Sequence, residues 1–167
     1  ESVSEGHPDK VCDQIADSIL DACLAGDPES RVACEVLVTS NFVLLAGEIT
    51  SEAVVDYEAI VRSVVRDIGY VKAGVGFSAD DLELLVRIDQ QSPDISLGVT
   101  AATSQSGEQG AGDQGLMFGF ACKDTDSLLP APLYYSHRIM QRLAELRHNE
   151  SEKYNFLLPD AKAQVSI

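Results

Sequence analysis

Positive charge is scarce in this 167-residue chain: 12 lysines and arginines stand against 27 aspartates and glutamates, a formal net charge of −15. Nucleic-acid binding depends on lysine and arginine displacing counterions, so the balance excludes a nucleic-acid partner. An anionic ligand would need a divalent metal, a local cluster of cations, or positive charge from another chain. Long apolar runs are also missing. None approaches the roughly 20 residues that span a bilayer, so no membrane association is expected. No basic-then-apolar opening segment reads as a signal peptide, and cytoplasm is the expected location. The first residue is Glu1, not methionine, which leaves an upstream address open. The four cysteines, Cys12, Cys23, Cys34 and Cys122, form no C-x-x-C pair and have no histidine at zinc-ligand spacing. Each lies in an apolar pattern without a local activator, and they read as reduced, small buried hydrophobes.

What is present is enough for a core. With 45% hydrophobic and 23% charged residues, the chain reads as globular, with room for one or two small domains. Gly6-His7-Pro8-Asp9 marks a helix start, with proline early and an acid where the helix dipole favours it. The helix should run to about Ala25, burying Val11, Ile15 and Ile19, and Gly26-Asp27-Pro28 ends it. Residues 32–38 alternate as a strand, Ser40-Asn41 turns the chain, and 42–49 form the second arm of a hairpin. A second amphipathic helix over 56–68 turns Ile60, Val61, Val64, Val65 and Ile68 inward and is capped by Gly69. A strand over 82–88 follows.

This order lacks only an opening strand to complete a β-α-β-β-α-β unit. From Gly115 the order restarts with a strand over 116–122, a helix over 132–147 and a strand over 163–167. The expected class is α+β, with repeated units, helices on one sheet face and an incomplete second unit. The expected divisions are a first repeat over 1–89, a mobile loop and connector over 90–112 rich in serine, glycine and glutamine, and a second repeat begun over 113–167. A chain that stops inside a predicted strand reads as a fragment.

Gly110-Ala-Gly-Asp-Gln-Gly115 spells the G-x-G-x-x-G of a dinucleotide-binding loop, but its context is reversed. In a Rossmann unit the glycines lie between a buried strand and a helix. Here a small polar stretch precedes them and strand-like Leu116-Met-Phe-Gly-Phe-Ala121 follows. Asp113 also sets a carboxylate where a phosphate would be repelled. The Rossmann reading is therefore set aside. A sequon at Asn149-Glu150-Ser151 has no meaning in a cytoplasmic protein.

Ser4-Glu-Gly-His-Pro-Asp-Lys10 collects an imidazole, a carboxylate and an ammonium at one helix N-terminus. Such an end can hold phosphate while the aspartate binds Mg²⁺; helix capping with solvated charges is the competing reading. Together, Glu1-Ser-Val-Ser-Glu-Gly-His-Pro-Asp-Lys10, Gln91-Ser-Pro-Asp-Ile95, Gly110-Ala-Gly-Asp-Gln-Gly-Leu-Met-Phe-Gly119 and Pro159-Asp-Ala-Lys162 resemble the successive signatures of S-adenosylmethionine synthetases, the methionine adenosyltransferases. The chain would correspond to less than the N-terminal half of a family member.

The resemblance implies that methionine sulfur attacks the 5′ carbon of ATP, displacing triphosphate that is then hydrolysed to phosphate and pyrophosphate. It implies Mg²⁺ and K⁺ as cofactors, ATP and L-methionine as substrates, and a homodimer or homotetramer with active sites at the dimer interface. By the same resemblance His7 and Lys162 are catalytic, and His7, Lys10, Asp113, Asp160 and Lys162 contact ATP. Glu48, Gln91 and Asp113 contact methionine, Asp9 binds magnesium and Glu35 binds potassium. Without it, Glu35 and Glu48 would read as solvated strand glutamates. Residues 91–101 correspond to the family's gating loop. The chain departs from the family pattern at Thr100-Ala101, where charge is usual, and over 149–158, where tryptophan and arginine are usual. The implied activity belongs to the full-length parent, with the fragment alone inactive; the alternative is a non-catalytic fragment or regulatory subunit that keeps the fold.

Overall fold

The computed structural model describes residues 1–90 and 114–167. Their elements, in chain order, are β1 (Ser2–Val3), α1 (Pro8–Gly26), β2 (Arg31–Thr39), β3 (Phe42–Thr50), α2 (Tyr57–Ile68), β4 (Glu83–Asp89), α3 (Ala131–Asn149) and β5 (Lys162–Ala163). The arrangement is α+β, as the periodicity predicts.

Helix α1 forms where apolar residues recur one turn apart, and Val11, Ile15, Ile19 and Cys23 are buried. Asp27 closes it with an N–H bond to the Cys23 carbonyl. Its carboxylate accepts the Glu52 and Glu29 N–H groups, at 2.9 and 3.0 Å, and these two bonds hold its pKa below the usual range. The end of α1 is thereby tied to the segment after β3.

Strands β2 and β3 pair antiparallel from Arg31↔Thr50 to Thr39↔Phe42 across the Ser40-Asn41 turn, where Asn41 takes the left-handed conformation, φ 51°. In α2, Asp56 accepts the Ala59 N–H at 3.0 Å, and Gly69, at φ 106°, closes the other end. This helix carries the chain back so that β4 adds parallel to β3, from Phe42↔Glu83 to Glu48↔Asp89. The sheet is mixed, in the order β2-β3-β4.

The pleat sorts the sheet's two faces. Val32, Cys34, Val36 and Val38 of β2, Val43 and Leu45 of β3 and Leu84 and Val86 of β4 pack with α1 and α2 into one core. The cysteines are free, and burial raises the thiol pKa of Cys12, Cys23 and Cys34.

Three expectations for the rest of the chain need correction. Residues 116–122 form no strand; Leu116, Met117, Phe118 and Phe120 are all more than three-quarters exposed, and among the described residues no strand lies beside them. The Cys122 N–H instead bonds the Leu128 carbonyl in a turn. The closing strand is two residues, Lys162–Ala163, not 163–167. It pairs antiparallel with β1, so the segment before α1 joins the end of the chain and not the three-stranded sheet. Helix α3 begins one residue before the predicted start and runs two beyond the predicted end. The gating loop and most of the glycine loop lie outside the described residues.

Candidate active site

The N-terminus of α1 organises the first group of predicted residues. His7 is the cap: its backbone is extended and its Nδ1 accepts the Asp9 N–H at 3.2 Å. With Nδ1 an acceptor, the proton of the neutral ring belongs on Nε2, which has no partner among the described residues. Asp9 sits in the first turn with its side chain 88% exposed.

The turn before His7 is held from three sides. The buried Ser4 hydroxyl donates to the Pro159 carbonyl at 2.6 Å and accepts the Ala161 N–H at 2.7 Å. The Tyr70 hydroxyl donates to the Gly6 carbonyl at 2.5 Å. Arg147 and His148, from the last turn of α3, both engage the Glu5 carboxylate. Burial first, and then the Asp160 carboxylate, push the Tyr70 phenol up to about 12, against a smaller opposing effect of Arg147.

These contacts bring Asp160 beside the turn. It lines a cavity of about 390 Å³ with Gly6, Pro8, Tyr70, Phe77 and Leu158. Lys162 lies two residues on, in β5, and pairs with Glu1 at 3.1 Å, both side chains half-exposed. Lys10 pairs with Asp13 at 3.0 Å. These surface pairs are weak and salt-screened, so either lysine can exchange its carboxylate for a phosphate at little cost. The Ser4 and Tyr70 contacts thus join the turns that carry His7 and Asp160, with Lys10 and Lys162 next to them in sequence and paired with Asp13 and Glu1.

Glu35 and Glu48 belong to another. The register makes two rows across the sheet, Glu35–Ala46–Arg87 and Ala33–Glu48–Asp89, beside a third, Leu37–Leu44–Leu85. All lie on the face turned away from α1 and α2. Glu48 and Asp89 stand side by side on neighbouring strands, a like-charge juxtaposition that favours a cationic group between them. His7 lies near the opposite end of the hairpin, since the Asp160 cavity reaches Thr39 and Ser40. Glu48 pairs with Ala33, six residues from Thr39, or roughly 20 Å of strand. Within one chain, the two groups are separated by both sheet face and distance.

Asp9 and Glu35 fit their expected cations differently. No three His, Cys, Asp or Glu residues among those described are grouped to hold a metal. Asp9 offers a single exposed carboxylate, which is enough for Mg²⁺ because that ion keeps several waters and takes most other ligands from substrate phosphates. K⁺ needs several oxygens in place of its hydration shell. Glu35 offers one carboxylate facing Ala46, and among the described residues it belongs to no group of three His, Cys, Asp or Glu that could hold a metal.

Gln91 and Asp113, expected at methionine and nucleotide, lie outside the described residues. Sequence reasoning missed Ser4, Tyr70 and Arg147 as contributors. Arg147 reads locally as a cation favoured in a last helical turn, and Tyr70 as the residue after a glycine cap.

Residues 1–93 match the N-terminal domain of S-adenosylmethionine synthetase, and residues 108–167 match its central domain. The whole chain is 53% identical to S-adenosylmethionine synthases from Parasynechococcus marenigrum and Prochlorococcus marinus, covering 41% of each. The enzyme of that name from Sorangium cellulosum is also 53% identical, and the chain covers 39% of it. The chain spans about two-fifths of the length of these relatives.

Proposed function

The chain belongs to the S-adenosylmethionine synthetase family, and from that premise we propose that it is the N-terminal part of an ATP:L-methionine S-adenosyltransferase. The observation that carries the reading is the His7 cap: an imidazole whose Nε2 is left for a ligand, at a helix N-terminus joined to Asp160 through Ser4. Helix N-termini favour anions, and the triphosphate is the anion to be held.

The reaction is a displacement at the ATP 5′ carbon by methionine sulfur. It asks for alignment and for stabilisation of the charge growing on the triphosphate, with little proton transfer. His7 donates from Nε2 to the leaving oxygen, Lys10 and Lys162 face the phosphates, and Asp160 holds the nucleoside. Asp9 would hold Mg²⁺, which when bound neutralises phosphate charge. Glu48, with Gln91 and Asp113, takes the methionine, the carboxylates serving its ammonium. The triphosphate is then hydrolysed to phosphate and pyrophosphate.

The separation of Glu48 from His7 favours a site shared between two copies. A second copy laid on the outer sheet face would cover the Leu37–Leu44–Leu85 row, and a shared site would need its His7 group to reach the first copy's glutamates. This supports a homodimer, or a tetramer built from one, and K⁺ at Glu35 would take its remaining oxygens from outside the described residues. The first-repeat, connector and second-repeat division belongs to the same reading, as does a cytoplasmic location.

The proposed activity is that of a chain as long as the relatives, and residues 1–167 alone are expected to have little or no turnover. The test compares both proteins for S-adenosylmethionine formation from ATP, methionine, Mg²⁺ and K⁺. Turnover by 1–167 at a rate near the full-length chain's would show that the missing length is not needed for the site.

A further inference from the structure

We propose that Ser4 and Tyr70 are positioning residues, whose hydroxyls lock the turn carrying His7 to the turn carrying Asp160. The inference rests on the adenosyltransferase reading of those two groups and adds to it the device that sets their spacing.

Ser4 makes the lock with both capacities of one oxygen. Its hydroxyl donates to the Pro159 carbonyl and accepts the Ala161 N–H, fixing the backbone on both sides of Asp160. Its N–H donates to the Ala161 carbonyl at 2.8 Å, while its own carbonyl accepts the His7 N–H at 3.1 Å. One residue therefore touches the backbone at His7 and on either side of Asp160. It is 6% exposed, so these bonds are shielded from competing water.

Tyr70 holds the same turn from the segment after α2. Its bond to the Gly6 carbonyl acts on the peptide that leads directly into His7. Its ring meets Phe77 edge to face, with centroids 5.0 Å apart, which fixes the direction of the hydroxyl. A phenol is protonated at neutral pH, and burial here favours that form further, so the hydroxyl stays a donor.

A displacement that depends on alignment is sensitive to such a lock, since a misplacement of about 1 Å can cost about a hundredfold in rate. Neither hydroxyl needs to touch substrate. Their effect should appear in kcat and not in the affinity for methionine, whose expected contact Glu48 lies on the other sheet face.

The test uses Ser4→Ala, Tyr70→Phe, the double variant and Ser4→Thr in a full-length chain. Tyr70→Phe keeps the ring and removes only the donor. Each single change should lower kcat about tenfold or more, with KM for methionine within about twofold of the parent. The double variant should lose less than the product of the two single losses, because the hydroxyls act on one unit. Ser4→Thr, which keeps the hydroxyl, should recover most of the rate. A readout independent of turnover is amide hydrogen exchange: protection at Ala161 and His7 should fall at least about tenfold in Ser4→Ala. Parent-like kcat in both single variants, or unchanged Ala161 protection in Ser4→Ala, would overturn the lock. A folded parent that makes no S-adenosylmethionine would refute the adenosyltransferase reading instead, and amide exchange would still decide the lock.

Discussion

Gly6 and Pro159, 153 positions apart in sequence, pack so closely that a methyl group added at Gly6 would lie 2.4 Å from the Pro159 Cβ and 2.5 Å from its carbonyl carbon. No side chain other than hydrogen fits between the turn that carries His7 and the turn that carries Asp160. Gly6→Ala should force the two apart at a cost of about 1–3 kcal/mol, the usual range for overpacking. Chemical denaturation measures that cost. In a full-length chain the same change should lower kcat, because it opens the joint that Ser4 closes.

The core should respond as a packed interior. Ile15 is fully buried in the α1 face that packs with β2, β3 and α2. Ile15→Ala should cost about 2–5 kcal/mol, read as a lower urea midpoint with an unchanged slope.

Gly47 and Gly74 separate strain from crowding. Both have positive φ, 139° and 82°, but a Cβ at Gly47 would meet the Ala33 carbonyl oxygen at 2.0 Å, whereas nothing lies within 4 Å at Gly74. Gly74→Ala should cost about 1–2 kcal/mol from the backbone conformation alone. Gly47→Ala should cost more, because it also breaks the β2–β3 pairing opposite Cys34. Paired thermal melts decide the order, and equal losses would contradict it.

Tyr70 should leave a signature in alkaline stability. Burial raises its folded pKa to about 12 from an ordinary value of 10. A raised folded pKa favours the protonated form in the fold, so the contribution is fully present below about pH 10. It is lost as pH rises from about 10 to about 12. Tyr70→Phe should flatten that part of the stability curve and leave its acid side unchanged, as urea titrations between pH 7 and 12 would show.

Much of what builds α1, the β2–β3 hairpin and α2 is written locally. Val11, Ile15 and Ile19 fall on one helical face, Asp56 and Gly69 bracket α2, and Ser40-Asn41 supplies the hairpin turn; each is decided by residues within a few positions. The strand expected over 116–122 does not form, because apolar residues with strand propensity still need a partner ladder, and the partner is not a local property. Strands β1 and β5 are two residues each, too short to show any period. The site divides similarly. The His7 cap is visible in Gly6-His7-Pro8-Asp9, but Ser4 reaches Ala161 across 157 positions and Tyr70 reaches Gly6 across 64. Nothing near Ser4 or Tyr70 in sequence signals those contacts.

The most direct test of the account is the product made by a purified full-length chain carrying this sequence, given ATP, L-methionine, Mg²⁺ and K⁺, with His7→Ala alongside. Mass spectrometry should find S-adenosylmethionine with phosphate and pyrophosphate in equal amounts from the parent chain. The His7→Ala chain should stay folded and bind methionine while forming product at least about a hundredfold more slowly. A folded parent that yields no S-adenosylmethionine, or a His7→Ala chain that keeps the parent's rate, would contradict it.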